Sequence, residues 1–338
     1  MIILAIETSC DDTSIAIFEN NKLITLNTSN QSKIHNKTCW VVPEVAARTH
    51  ASNIFKVLKK TLKESKLTLE DINYVWVTTK PWLIGSLLTW TTVASTVSTI
   101  LKKEIIPICH IEAHIFSNFI ERQEKDIKFP LVCLTVSWWH NDIYFMKDMW
   151  NIKKLWTSQD DAGWEAFDKV AKMMDLWYPW WPIISKLSYE YEKKRKNEKK
   201  IFPRVWLVKN EFNFSFSWLK SAVRREIEKR IEKKWKLDYS DKQEIAFEFE
   251  CSVVEVLNYK IINAAKQKWV KTILLAWWVS ANNRLIDSVS ENAKKEWFNF
   301  IFPTKKIYCW DNAAMIWIYA YYKIKYKKFE KKIGVVKI

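Results

Sequence analysis

Three glycines in 338 residues is the strongest constraint on what this chain can fold into. Glycine averages about 7% of residues, so about 24 would be usual at this length. Tight turns, helix ends and close approaches of backbone to ligand use left-handed backbone, which other residues adopt only under strain. The deficit has a counterpart in 21 tryptophans, and the two counts together reach a normal glycine content. The tryptophans also fall where glycine belongs. Trp138 and Trp139 follow an apolar run in "LTVSWWHND", Trp277 and Trp278 follow another in "LLAWWVS", and Trp180 and Trp181 sit between prolines in "YPWWP". UGA is read as tryptophan in some genetic codes and as glycine in others, so a wrong translation table would give this pattern. Most of these letters are therefore read as glycines of the native protein, with a tryptophan-rich chain as the alternative.

The length allows two domains, and the hydrophobic content of 49% excludes a disordered chain. The net charge of +16 points to a polyanionic partner, nucleic acid before membrane. A lysine-rich genome would produce the same excess. Six cysteines lie at 10, 39, 109, 133, 251 and 309 with no C-x-x-C pair, which reads as reduced thiols in a cytoplasmic protein. No secretory leader and no apolar run of about 20 residues is apparent, so no membrane is expected.

Hydrophobic patterning gives strands at 2–6 and 15–18 around the turn "ETSCDDTS", a helix over 45–66, a strand at 72–77, a helix over 84–101, a strand ending at 108 and a helical segment 110–122. A second series has strands at 131–136 and 142–147, helices at 164–175, 219–234 and 242–268, a strand at 272–276 and a helix over 313–326. Both halves open with strand–turn–strand and continue with alternating strands and helices. The expectation is two α/β lobes packed tightly around a cleft. The first covers 1–122 and is completed by 306–338; the second covers 123–305 and carries a basic insert near 190–200.

Five constellations could carry chemistry. Glu7, Asp11 and Asp12 place carboxylates on a turn that could hold a metal-bound phosphate or orient a nucleophile; an ordinary hairpin turn is the alternative. His110 and His114 in "HIEAH" share a helix face at i, i+4 and could bind one metal, with Asp311 of "CWDNAAM" as a possible third ligand. Glu112 stands two residues after His110, about 200° round the helix, which makes it a poor base for a metallopeptidase. Read with glycines, "SWWHN" at 137–141 and "AWWVSANNRL" at 276–285 become turns whose backbone N–H groups could cradle phosphate or adenosine. Read with tryptophans they become stacking platforms. Glu165 and Asp168 share a face of a helix opened by Asp160 and Asp161, and could bind ribose hydroxyls or a metal. Arg204, Lys220, Arg224 and Arg225 could form a basic face for an RNA backbone, although interleaved glutamates also fit a solvated helix.

In this order the motifs resemble one family, the tRNA N6-adenosine threonylcarbamoyltransferases called TsaD in bacteria. The likeness runs from "IETSCDDTS" through "VVPEVAARTH", "HIEAH", "SWWH", "DDAGWEAFDK", "YPWWP", "FSFSWLK" and "AWWVSAN" to "CWDNAAMI". At each WW of that series the family pattern has GG, and Trp40, Trp82, Trp164 and Trp218 also fall on expected glycines. The resemblance implies an actin-like, sugar-kinase-like ATPase fold. It implies transfer of a threonylcarbamoyl group from threonylcarbamoyl-AMP, made with ATP, to N6 of the adenosine 3′ of the anticodon in tRNAs reading codons that begin with A. Metal ligands would fall on His110, His114 and Asp311, with Fe2+ before Zn2+. Nucleotide contacts would fall on Thr135, Val136, Ser137, Trp138, Trp139, Asp168, Trp181 and Asn282, and the turn with Glu7, Asp11 and Asp12 would sit at the reacting end. Partners would be tRNA, an inactive paralogue (TsaB) and a small ATPase (TsaE). The chain departs from the pattern at Lys80, Ala113, Cys39 and Asn141. An actin-like ATPase or sugar kinase acting on a small molecule, and a metallopeptidase, are the alternatives.

Overall fold

The computed structural model describes residues 1–20, 22–35, 41–81, 83–137, 140–160, 162–176, 180–195, 200–204, 213–329 and 333–334, without the side chains at 164, 180, 181 and 279. Cys39, Trp40, Trp82, Trp138, Trp139 and Asp161, and the side chains of Trp164 and Trp181, lie outside the described residues.

The chain divides into two compact units, one of 1–123 with 303–338 and the other of 124–302. The first unit holds β1 (Ile2–Glu7), β2 (Thr13–Glu19), β3 (Lys22–Ser29), α1 (Ser32–His35), α2 (Pro43–Ser65), β4 (Tyr74–Lys80), α3 (Ile84–Leu101), β5 (Glu104–Cys109) and α4 (His110–Phe116). The second holds β6 (Leu131–Val136), β7 (Asn141–Met146), β8 (Ile152–Trp156), α5 (Gly163–Met173), α6 (Trp180–Glu192), α7 (Ser217–Lys234), α8 (Tyr239–Gln267), β9 (Thr272–Ala276), α9 (Asn283–Lys295) and β10 (Asn299–Ile301). The chain then returns to the first unit with α10 (Ala313–Lys325).

One topology is used twice. The first sheet runs β3-β2-β1-β4-β5 and the second β10-β9-β6-β7-β8. In each, three strands form an antiparallel meander, and the meander's first strand pairs in parallel with a fourth that carries the fifth. β1 and β6 are the central strands, and their near-continuous apolar runs are buried as strands covered on both faces should be. Fully burying such an Ile or Leu contributes about 1.5–3 kcal/mol. α2 turns Ala46, His50, Ile54, Val57, Leu58 and Thr61 inward at helical spacing and packs on β2 and β3. α10 packs on β1 and α4, with Trp317 stacked on Phe18 at 4.0 Å. By length and composition α3 could cross a membrane; here it lies against α2 and β4 as a helix of the first unit.

Ten described non-glycine residues have positive φ, and four are tryptophans: Trp235 (68°), Trp269 (54°), Trp277 (74°) and Trp297 (59°). Trp235, Trp269 and Trp297 follow the ends of α7, α8 and α9, the position where helices commonly place glycine. Their side chains are 92%, 90% and 87% exposed, so they pack against little. Trp76 and Trp90 are the opposite case, fully buried with an indole N–H that has no acceptor among the described residues. Trp317 does use its indole, donating to the Asn20 carbonyl at 3.3 Å.

Candidate metal centre and nucleotide-contact residues

β5 runs directly into α4, so His110 and His114 stand one turn apart on a helix that begins at the sheet edge. Asn312 caps α10 by accepting from the N–H groups of Ala314 and Met315, and Ser14 on β2 accepts from Ala313 N–H at 3.1 Å. These contacts fix Asp311 just ahead of the helix. The three side chains meet: His110 Nε2 is 3.1 Å from His114 Nε2, and Asp311 Oδ1 is 2.9 Å from His114 Nε2 and 3.5 Å from His110 Nε2. All three are buried. Ligand atoms about 2.1 Å from one ion, at near-tetrahedral or octahedral angles, lie about 3.0–3.4 Å apart. The donor set and its spacing therefore fit one transition-metal ion, and the group could hold one.

The outer face of His110 is held as firmly as the inner. Its Nδ1 is 3.1 Å from Glu7 Oε2 and 2.9 Å from Ser9 Oγ. Glu7 in turn accepts from Thr78 Oγ1 at 2.5 Å and from Ser9 N–H at 2.6 Å. A carboxylate on the far nitrogen of a ligating histidine fixes its tautomer and raises its basicity. Glu7 is fully buried with both oxygens engaged, Oε1 by Ser9 N–H and Oε2 by Thr78 and His110. Burial pushes its pKa up, but the neighbouring His110 outweighs this and holds it below the usual value. Burial and the nearby His110 bring His114 down to about 4.

Asp11 and Asp12 lie beside this centre. Burial, then the charge of Asp311, push Asp11 up to about 6. Asp12 is raised by burial, then by Asp11 and Asp311, and its Oδ1 accepts from Asn30 at 2.7 Å. Carboxylates that repel one another at a buried site match a bound cation. Glu112 points elsewhere, accepting the Tyr319 hydroxyl of α10. It is not available as the base of a metallopeptidase.

The remaining candidates are in the second unit. Thr135 and Val136 are buried at the end of β6. Ser137 closes the following turn: its N–H donates to the His140 carbonyl at 2.9 Å, and its Oγ accepts His140 N–H at 3.0 Å. Trp138 and Trp139 stand between them, outside the described residues. Asp168 is buried on α5, and one carboxylate oxygen has no hydrogen-bond partner among the described residues. Burial raises its pKa well above the usual range despite the charge of Lys172. Asn282 is committed locally: its Oδ1 caps α9 at Leu285 N–H, and its amide donates to Glu250 at 2.9 Å.

Arg204 departs from the expectation of an RNA-facing group. Its guanidinium is buried, paired bidentately with Glu255 at 3.0 and 3.1 Å and bonded to the Phe202 carbonyl. It ties the segment before α7 to α8. Arg224 and Arg225 are exposed on α7, Arg224 paired with Glu228, and Lys220 is half-buried. Ser9 and Thr78 also join the centre, through His110 and Glu7. Ser9 lies inside the acidic turn motif, but nothing in the local sequence marks Thr78.

The model of the TsaD family, tRNA N6-adenosine threonylcarbamoyltransferase, matches residues 22–318. The chain belongs to this family. It is 40% identical over 332 residues to the tRNA N6-adenosine threonylcarbamoyltransferase of Fusobacterium nucleatum, covering 98% of this chain and 94% of that one. It is also 40% identical over 329 residues to the enzyme of that name from Persephonella marina, covering 96% and 91%. Among solved structures it resembles component A of the Acidaminococcus fermentans (R)-2-hydroxyglutaryl-CoA dehydratase, with a TM-score of 0.55 at 11% identity over 96% of this chain and 99% of that one. The doubled sheet topology is thus that of the actin-like ATPase fold. Within the TsaD family the chain is a transferase acting in tRNA modification.

Proposed function

We propose that the chain transfers the threonylcarbamoyl group of threonylcarbamoyl-AMP to N6 of the adenosine 3′ of the anticodon, in tRNAs reading codons that begin with A. The observation that carries this reading is the buried His110–His114–Asp311 cluster, held from β1 by Glu7 and flanked by Asp11 and Asp12. In the reaction the N6–carbonyl bond forms, the carbonyl–phosphate bond breaks, AMP leaves, and N6 loses a proton. Asp11, with its pKa near 6, is charged at neutral pH and suited to take that proton. Asp12, fixed by Asn30, orients the amine. Fe2+, or Zn2+ in its place, would be held by His110, His114 and Asp311 and would supply positive charge for the carbonyl or phosphate oxygens. Asp168, one of whose oxygens has no partner among the described residues, would accept a ribose hydroxyl, and the turn from Thr135 to Trp139, with Trp181 and Asn282, would border the adenylate.

This reading takes Trp138, Trp139 and Trp181 as glycines. It is supported by Trp235, Trp269, Trp277 and Trp297 at positive φ. We read Lys220, Arg224 and Arg225 as weak tRNA contacts, ATP as the source of the adenylate, and a paralogue (TsaB) and a small ATPase (TsaE) as partners in the cytosol. The experiment is transfer of labelled threonylcarbamoyl to unmodified tRNA by the metal-loaded protein with those two partners. Labelled N6-threonylcarbamoyladenosine in the digested tRNA is the expected product; its absence with a competent control enzyme would sink the reading.

A further inference from the structure

A chain of buried hydrogen bonds leads away from the acidic turn to the segment ahead of α2, and the chemistry above does not use it. The Cys10 carbonyl, between Ser9 and Asp11, lies 3.0 Å from His50 Nε2. A carbonyl only accepts, so Nε2 carries the proton and Nδ1 is the acceptor. Nδ1 faces the Thr13 hydroxyl at 2.8 Å and the Gln31 side-chain amide at 3.3 Å. The Gln31 carbonyl oxygen accepts a hydrogen bond from His35 Nε2–H at 3.2 Å, and His35 Nδ1 accepts from Val42 N–H at 3.5 Å. His50, Gln31 and His35 are all buried. The donors thus run in one sense from Val42 to Cys10. Burial holds His50 below its usual pKa, which keeps it in the neutral form this order requires. Asn30, next to Gln31, holds the other side of the same turn through Asp12.

We propose that His50 is a positioning residue for the reaction, holding the acidic turn by its backbone while Gln31 and His35 set its tautomer. The proposal rests on the reading that Asp11 and Asp12 act on the substrate. The hydrogen bonds of His50 go to Thr13, Gln31 and the Cys10 carbonyl and not to the candidate metal ligands or either carboxylate, so its effect passes through the Cys10 carbonyl.

The test is steady-state transfer to tRNA by His50→Ala, His50→Gln and Gln31→Leu, with metal affinity and deuterium uptake of the 8–14 peptide measured on each. Gln at 50 keeps an amide N–H for the Cys10 carbonyl; Ala does not. His50→Ala is expected to lower kcat by about tenfold or more, in line with small displacements of reacting groups. KM for tRNA and metal affinity should stay at wild type, and the peptide should exchange faster. His50→Gln should recover most of kcat, and Gln31→Leu, which leaves His50 in place, should fall between. If His50→Ala does not fold, the other two variants decide the matter. Wild-type kcat in Gln31→Leu and His50→Ala, no rescue by Gln, or a parallel loss of metal affinity would overturn the proposal. Asp11→Asn and Asp12→Asn separate the two levels. If both keep wild-type kcat, the reading of the turn fails; if they lose it while His50→Ala does not, this inference fails alone.

Discussion

His110 presents Nδ1 to Glu7 at 3.1 Å and Nε2 to His114 at 3.1 Å, so one imidazole joins the central strand of the first sheet to the candidate metal centre. The ring has no freedom to turn without breaking contacts on both sides.

Glu7→Gln keeps the size of the side chain but removes the charge that would make His110 a strong ligand. Metal affinity should fall about 10–100-fold, as is usual when the outer partner of a ligating histidine is changed. Competition against a chromophoric chelator would read it, and unchanged affinity would refute the positioning role.

Metal binding should stabilise the first unit, because the ligands are separated by 197 residues of chain and meet only when it is folded. At a free metal concentration of about 100 times Kd, the gain is about 2.7 kcal/mol. Thermal melts with and without added Fe2+ or Zn2+ should differ accordingly, and Asp311→Ala should abolish the difference.

Asp168 is predicted to trade stability for binding. A carboxylate whose pKa is raised in the folded chain is protonated more readily there than in the unfolded chain. The stability it contributes is therefore present at low pH and is lost as pH rises above the unfolded value of 3.8. Asp168→Asn should melt higher than wild type at about pH 8, with the gap closing towards about pH 4. Equal melting across that range would show that the burial is harmless.

The tryptophan letters divide into testable groups. Glycine in place of Trp235, Trp269 or Trp297 should stabilise a recombinant protein made with the written letters, by about 1–2 kcal/mol per site, the usual penalty of left-handed backbone for a residue with a Cβ. Denaturant unfolding of the single variants would measure it, and a loss of stability would show that the exposed rings pack on something. Mass spectrometry of the native peptide over 129–147 gives the direct answer for Trp138 and Trp139. Glycine masses are expected; tryptophan masses would end the recoding reading.

Patterning made the central elements legible because burial on both faces leaves an uninterrupted apolar run. The strand at 272–276 and the helix over 84–101 were bounded as the structure has them. The edge strands β3 and β8 are not legible in this way: β3 alternates polar residues on an open face, and β8 carries two lysines in five residues. The start of α9 reads in sequence as a ligand turn, whereas Asn282 is the cap of that helix. At the centre, helical spacing put two imidazoles together. The contacts of Glu7 with Thr78 and His110 span 71 and 103 residues, and no local pattern encodes pairings of that reach. Arg204 read as a surface cation for the same reason, since its partner Glu255 lies 51 residues away.

Asp311 sits at the start of the helix that returns to complete the first unit. A ribosome making this chain extrudes both histidines roughly two hundred residues before the carboxylate that joins them. During that interval the whole of the second unit is made, while the first still lacks its last helix. An ion held by all three would be captured only after Asp311 is made, and a chain stalled or cleaved before α10 would carry two imidazoles without the third arm of the clasp.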